Sequence, residues 1–398
     1  MPFDLTGLNK EQRAAVCAPE GPVLVIAGAG SGKTKVLVHR AAYLMAEKGL
    51  SPYHLLAVTF TNKAAGELKE RLEAMLGEQA LDIQASTFHS ACMRILRREI
   101  TALGYERSFT VYDTDDSVRI IKEALKELAV QEKVMAPKGI LASISAAKDQ
   151  LLSPEDVLRE AKGDYRQEVV GKVYSYYQKR LKAANALDFD DIIIFTVKIF
   201  QQYPDVLEKY RNRFRYIMVD EYQDTNNSQF LLVSLLAGGH QNICVVGDDD
   251  QSIYKFRGAT IENILNFENQ YRDTKVIRLE QNYRCTQTIL DAANAVIENN
   301  TQRKGKTLWT QNPKGTPVKV YRALNEQDEA RFIADTILDN VAKGQKFADH
   351  AILYRMNAQS NTIENALIRS GIAYRIIGGQ RFYDRKEIKD IIAYMSVI

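Results

Sequence analysis

The run AGAGSGKT (Ala27 to Thr34) gathers three glycines, a lysine and a threonine within eight residues. Backbone amides without bulky side chains can surround phosphate oxygens, and a lysine at this spacing neutralises the β and γ phosphates as a point charge. Lys33 is the candidate for that charge, and the Thr34 hydroxyl is the candidate ligand for Mg²⁺. The strict phosphate-loop pattern opens on glycine, where this chain has Ala27. Ala27, Gly28, Ala29, Gly30, Ser31 and Gly32 form the expected cradle, with ATP and Mg²⁺ as its ligands.

Further along, VDEYQDT (Val219 to Thr225) sets two adjacent carboxylates after an apolar run. Carboxylates that emerge at the carboxyl end of a buried strand reach the edge where α/β sheets bind ligands. Asp220 is assigned to the metal ion, and Glu221 to orienting and deprotonating a water. Alone, the pair would suit a helix cap equally well; upstream of it, the phosphate loop tips the balance. In VVGDDDQSIYKFRGA (Val245 to Ala259), Gln251 has the reach to sense a γ-phosphate or hold the water. In LEQNYRC (Leu279 to Cys285), Arg284 is a cation at the start of a second domain, placed to contact the γ-phosphate from the far side of a cleft.

These residues need a scaffold. PVLVIA (Pro22 to Ala27), LLAVT (Leu55 to Thr59), YIMVD (Tyr216 to Asp220), ICVVG (Ile243 to Gly247) and VIRLE (Val276 to Glu280) are short β-branched runs separated by helical patterns. That alternation implies an α/β fold with a parallel sheet wrapped by helices. Between about Ser90 and Leu187 long amphipathic stretches predict a helical insertion. Its Lys172, Tyr174, Tyr177, Lys179 and Arg180 could touch nucleic acid, although a packed aromatic stripe with a solvated basic face is the favoured reading. From about Leu279 a second α/β series follows: PVKVYRA, a helix around Glu326 to Lys343, HAILYR, another helix, and YRIIGG. The last residue, Ile398, falls inside the apolar run IIAYMSVI with no Gly or Asn stop signal, which predicts a polypeptide cut short.

The 398 residues exceed one ordinary domain. With 53 Lys and Arg against 50 Asp and Glu, the net charge of +3 does not announce a polyanion partner, so any nucleic-acid surface must be local. Cys17, Cys92, Cys244 and Cys285 form no C-x-x-C pair, which argues against a zinc ribbon or a disulfide framework. The opening MPFDLTGLNKEQ lacks a signal-peptide core and no later apolar run reaches bilayer length, so a cytoplasmic protein without a membrane partner is expected.

The ordered set LNKEQRAAV, AGAGSGKT, TFTNKAA, STFHS, LDFDD, VDEYQDT, GDDDQSIYKFRGA, LEQNYR and EIKDIIAYM closely resembles the superfamily 1 helicases of the UvrD/PcrA/Rep type, with wording most similar to the PcrA branch. The resemblance implies two RecA-like P-loop domains with parallel sheets. The first would span 1–89 and 188–278 around an insertion at 90–187, and the second, incomplete, 279–398. It implies that Gln12 reads adenine, that Tyr283 stacks on the base, and that Lys35 stands where relatives often carry arginine. For DNA it points to Phe60, Asn62, Thr87, His89, Phe189, Tyr254, Phe256 and Arg257; relatives commonly carry tryptophan at the Phe256 position. Aromatics interleaved with hydroxyl, amide and basic groups suit base stacking with phosphate contacts. Singly, Phe60 and Phe189 would read as core, and His89 as a hydrogen-bonded structural histidine.

By that resemblance, ATP held between two domains drives 3′ to 5′ movement on single-stranded DNA and unwinding at single/double-strand junctions, with repair or replication proteins as partners. The family's later V-H-x-x-K-G-L-E-type and G-x-T-R-A-type segments do not occur in this sequence, and the second holds a γ-phosphate arginine. Such arginines are worth about 10³–10⁵ in turnover, so nucleotide binding with weak hydrolysis is expected. The alternatives are a nucleotide-dependent DNA-binding or loading module without unwinding activity, and an unrelated P-loop kinase.

Overall fold

The computed structural model describes residues 3–255 and 258–377. Among the described residues there are eight strands: β1 (Val23–Ala27), β2 (Leu55–Thr59), β3 (Gln84–Thr87), β4 (Thr110–Val111), β5 (Ala186–Leu187), β6 (Tyr216–Val219), β7 (Ile243–Gly247) and β8 (Lys275–Leu279). Six form one sheet in the order β3-β2-β6-β7-β1-β8, every neighbour parallel. The five apolar runs read from sequence are all in it. Period-two geometry then splits each strand between two cores. Leu24, Ile26, Leu56, Val58, Ile217, Val219 and Val245 face one side, and Val23, Val25, Ala57, Met218, Cys244 and Val246 the other.

Helices cover both faces, which is why the inner strands β1, β2, β6 and β7 are buried at every position rather than alternating, while the edge strand β8 exposes Lys275 and Arg278. The second face is covered by α1 (Lys10–Val16), α2 (Lys33–Lys48) and α3 (Asn62–Leu76). Arg40 of α2, fully buried, donates to the carbonyls of Ala15, Val16 and Ala18 at 2.9–3.0 Å and through Nε to the Tyr216 hydroxyl at 3.0 Å. One guanidinium thus ties the end of α1 to α2 and β6.

The other face is built from α4 (Phe88–Glu99), and later α9 (Phe189–Gln202), α10 (Pro204–Arg213) and α11 (Asn227–Ala237). Between them, α5 (Thr114–Glu127), α6 (Pro137–Asp149), α7 (Pro154–Glu160) and α8 (Tyr165–Ala183) enclose a core of their own around Ile121, Val173, Tyr177 and Leu181. The expected insertion is therefore helical, but α4 belongs to the sheet, because Ala91, Cys92, Ile95 and Leu96 form an apolar stripe against it. The chain leaves and re-enters through the short parallel pair β4 and β5. Tyr174 and Tyr177 are buried in the insertion's core, while Lys172, Lys179 and Arg180 are exposed, as a packed stripe with a solvated basic face requires.

Between β7 and β8 lie α12 (Glu262–Leu265) and α13 (Phe267–Gln270), and α14 (Gln287–Ile297) follows β8. The chain divides into two compact units, Met1–Pro317 and Val318–Ile398. The segment 280–317 therefore packs with the first unit.

In the second unit α15 (Glu326–Ala342), capped by Asn325 which accepts from the Asp328 amide at 2.9 Å, packs on α16 (Ser360–Arg369) through Ala330, Ala334, Ile363 and Leu367. Here the sequence reading of strands and the structure differ. PVKVYRA, HAILYR and the described part of YRIIGG carry no strand pairing. Ile352 and Tyr354 lie against the α15–α16 core while Leu353 between them is 94 % exposed, a strand-like alternation without a neighbour to pair with. Parallel strands are stable when paired and covered on both faces, and neither condition is met among the described residues of this unit. The EIKDIIAYM motif lies outside the described residues.

Candidate nucleotide site and DNA-facing edge

The phosphate loop leaves the carboxyl end of β1 and enters α2 at Lys33. Gly30 and Gly32 hold φ of 66° and 90°, values that only glycine adopts without strain. Ser31 donates to the Gly28 carbonyl at 2.7 Å, closing the turn, and the Gly28 amide donates to Leu279 of β8 at 3.1 Å. A Cβ on Gly28 would collide with the Leu308 side chain. The loop presents the amino end of α2, whose free amides and dipole favour an anion. Thr34 stands in that first turn.

Opposite the loop, β6 ends in Asp220 and Glu221. Lys33 Nζ lies 2.8 Å from Glu221 Oε2. Gln223 donates to the same oxygen at 3.0 Å and accepts from the Asp248 amide at 2.8 Å, locking the β6 and β7 loops together. Glu221 adopts φ 49°, a left-handed conformation that costs a non-glycine residue about 1–2 kcal/mol and is held by this surrounding structure. Its amide donates to Asp220 Oδ1 at 3.0 Å. Burial, with the adjacent Glu221 charge, pushes Asp220 up to about 6, and the same two causes push Asp224 up to about 6. A divalent cation beside Asp220 would reverse that penalty, so the donor set of one hydroxyl and one desolvated carboxylate fits Mg²⁺.

Gln12, buried on α1, donates to the Ser31 carbonyl at 2.9 Å and accepts from the Asn9 amide at 3.1 Å. Asn9 also donates to the Tyr283 hydroxyl at 2.9 Å, so the two residues expected to meet the base are joined through one asparagine. Tyr283, half exposed, is fixed further by its amide bond to the Gly30 carbonyl at 3.0 Å. Asn282 donates to Ala29 at 2.6 Å and accepts from the amides of Arg284 and Cys285. Lys35 is turned to the Gly7 carbonyl at 2.7 Å. Arg284 is exposed, with its Cβ beside Gly30, and packs with the first unit. The cause is β8, which carries LEQNYR back along β1 to the phosphate loop.

Gln251 donates to Asp248. Asp248, Asp249 and Asp250 have the spacing of a cation site, but the buried Lys306 ammonium fills it at 2.7, 2.5 and 2.7 Å. Arg303 adds a bond to Asp250 at 2.8 Å. Sequence reasoning missed Asn9, Gln223, Asn282 and Lys306. Three of these lie inside motifs already singled out, whereas nothing in the local pattern marks Lys306.

Phe60, Asn62, Thr87 and His89 lie at the carboxyl ends of β2 and β3, with Phe189 against His89. Phe60 packs edge-on against Phe88 at 5.5 Å, partly buried. Asn62 begins α3, exposed. Thr87 caps α4 by accepting from the Ser90 amide at 3.2 Å. His89 meets Phe189 edge-on at 5.5 Å, and burial lowers its pKa, so a neutral ring is favoured. Phe189 is 58 % exposed at the start of α9. Tyr254 follows β7, partly exposed; Phe256 and Arg257 lie outside the described residues.

Residues 8–272 match the UvrD/REP helicase N-terminal domain, and residues 277–398 the UvrD-like helicase C-terminal domain. The chain belongs to the UvrD-like helicase family. Among its relatives, the ATP-dependent DNA helicase PcrA of Bacillus subtilis (strain 168) is 54% identical over 395 residues, covering 99% of this chain and 53% of the relative. The protein of the same name from Staphylococcus aureus (strain Mu50 / ATCC 700699) is 52% identical over 394 residues, 99% of this chain and 54% of the relative. This UvrD-like chain thus spans about half the length of the curated relatives it matches. No helix among its described residues is long and apolar enough to cross a membrane.

Proposed function

We propose that this chain carries the nucleotide- and DNA-gripping part of an ATP-dependent DNA helicase that moves 3′ to 5′ on single-stranded DNA and opens single/double-strand junctions. The supporting observation is the 2.8 Å contact between Lys33 and Glu221, which brings the phosphate loop and the paired carboxylates to one point on the sheet edge. The relatives' name, ATP-dependent DNA helicase, agrees with it.

In this reading the amides of Gly30 to Thr34 and the Lys33 ammonium bind the phosphates. Thr34 and Asp220 would hold Mg²⁺, which supplies charge neutralisation on the phosphate oxygens. Glu221, positioned by Gln223, accepts the proton of the attacking water; its carboxylate is aimed by the contacts from Lys33 and Gln223. Gln12 spends one N–H on Ser31 and one lone pair on Asn9, which leaves its amide one donor and one acceptor for an adenine edge. The Tyr283 ring, anchored by its hydroxyl, offers a face for stacking. Phe189, Phe60, Tyr254, Phe256 and Arg257 supply stacking and charge for a strand of any sequence.

The test is a fluorescence titration of labelled single-stranded DNA with and without a non-hydrolysable ATP analogue, on this chain and on Lys33→Ala. DNA affinity should respond to the analogue in the parent chain and ignore it in Lys33→Ala. Parent-chain affinity indifferent to nucleotide refutes the coupling. Binding that responds to nucleotide with no strand separation favours the loading module instead.

A further inference from the structure

At the opposite, amino-terminal edge of the sheet, a cavity of about 210 Å³ lies between β3, α4 and α10. Three guanidinium groups line it: Arg94 and Arg98, one turn apart on α4, and Arg213 at the end of α10. Gln84, Tyr210 and Phe214 complete its polar and aromatic wall, and no carboxylate lines it. Among the described residues, none of the three arginines forms an ion pair. The nearby carboxylate of Glu99 is engaged elsewhere, by Lys209 at 2.6 Å and the Tyr210 hydroxyl at 3.1 Å.

Neighbouring arginines are treated differently by the fold. Arg97 is spent on the carbonyls of Arg107 and Phe109, and Arg211 Nε on that of Leu235. Arg94 spends only its Nε, on Ser90 at 3.2 Å. Arg213 sits over the Tyr53 ring, its Cζ 3.9 Å from the ring centre, a contact that uses none of the guanidinium N–H groups as hydrogen-bond donors. Burial and the positive charges of Arg213 and Arg98 together lower the pKa of Arg94, so like charges face each other here without compensation. Independently, the Gln84 amide nitrogen is buried with no hydrogen-bond partner. A buried donor without an acceptor is costly unless something accepts from it.

We propose that this cavity binds a phosphate-class oxyanion. Forked N–H donors match tetrahedral oxyanions in geometry as well as charge, and the orphan Gln84 donor gains an acceptor. The volume suits a phosphate or pyrophosphate group. Two sources share this chemistry: free phosphate compounds, and a backbone phosphate of nucleic acid. The second is within reach because α4, capped by Thr87, carries His89 in its first turn, about 8–14 Å along the helix axis from Arg94 and Arg98.

Pyrophosphate binding is measured by calorimetry on Lys33→Ala, which silences the phosphate loop, and on the same chain with Arg94→Ala and Arg98→Ala. Both arginines are exposed, so the core is undisturbed. Affinity should fall about tenfold or more with the arginines removed, and remain unchanged in a control lacking the exposed Arg107 and Arg166. Gln84→Met should weaken pyrophosphate binding while raising the melting temperature of the unliganded protein, a combination that loss of structure cannot produce. Displacement of pyrophosphate by a dT oligonucleotide assigns the site to backbone phosphate; failure to displace assigns it to free phosphate. Equal affinity with and without Arg94 and Arg98, equal losses in the control, or no pyrophosphate binding to Lys33→Ala overturns the proposal.

Discussion

Glu221 shows how a single residue can be over-determined. Its left-handed backbone, its ion pair with Lys33 and its bond from Gln223 all fix one carboxylate where the phosphate loop opens. Glu221→Gln keeps the shape and removes the basicity. Nucleotide binding should therefore survive, followed with a fluorescent ATP analogue, while DNA-dependent phosphate release falls by about 10²–10⁴. On the DNA edge, Phe189→Ala removes an exposed ring that meets His89 edge-on. Single-stranded DNA affinity should weaken by about 1–3 kcal/mol in an anisotropy titration, with nucleotide affinity unchanged. A Phe189→Ala chain that binds DNA as before would remove that residue from the interface.

At the scale of elements, α9 is held by a buried charge cluster. Lys148, on α6, contacts Asp188 and Asp191 at 2.7 Å each, and Tyr177 donates to Asp188 at 2.9 Å. Asp188 is also the cap that starts α9 and so places Phe189. Burial and the Asp188 charge push Asp191 up to about 7, which makes the lysine the counter-charge both carboxylates need. Lys148→Met should cost about 3–5 kcal/mol in urea unfolding, since it strands two buried carboxylates; the addition of Asp188→Asn and Asp191→Asn should recover much of the loss.

Next to it, Asp149 accepts from Asn226, the cap of α11, at 2.7 Å. Burial, and then Asp190, push Asp149 up to about 7. A carboxyl with a raised pKa binds more protons folded than unfolded, so its destabilising effect grows as pH rises from about 4 to 7 and is complete above that. Asp149→Asn should accordingly raise the melting temperature at pH 8 and leave it unchanged near pH 4. A difference independent of pH would contradict the assignment.

At the scale of the molecule, the division after Pro317 sets what folds with what. Residues 280–317 supply Asn282 and Leu308 to the phosphate loop and Lys306 to three aspartates. A chain ending at residue 317 should keep the cooperative melting of the first unit and its nucleotide affinity. One ending at residue 279 should melt markedly lower, because Asp248, Asp249 and Asp250 lose their buried counter-charge. Calorimetry on the two proteins distinguishes the contributions.

The sequence alone determined the strand runs, the phosphate loop, the paired carboxylates and the family resemblance, because each is a local pattern: β-branched runs, glycines at left-handed positions, charges next to each other in the chain. Tertiary structure decided the rest. Lys306 lies 56 positions beyond Asp250 and has no pattern of its own, so only folding reveals it as the occupant of an acidic cluster. Helix α4 reads as part of the insertion until its stripe is seen against the sheet. Arg284 reads as a distant finger until β8 pairs with β1. In each case the deciding contact joins residues far apart in sequence, and periodicity carries no information across that distance.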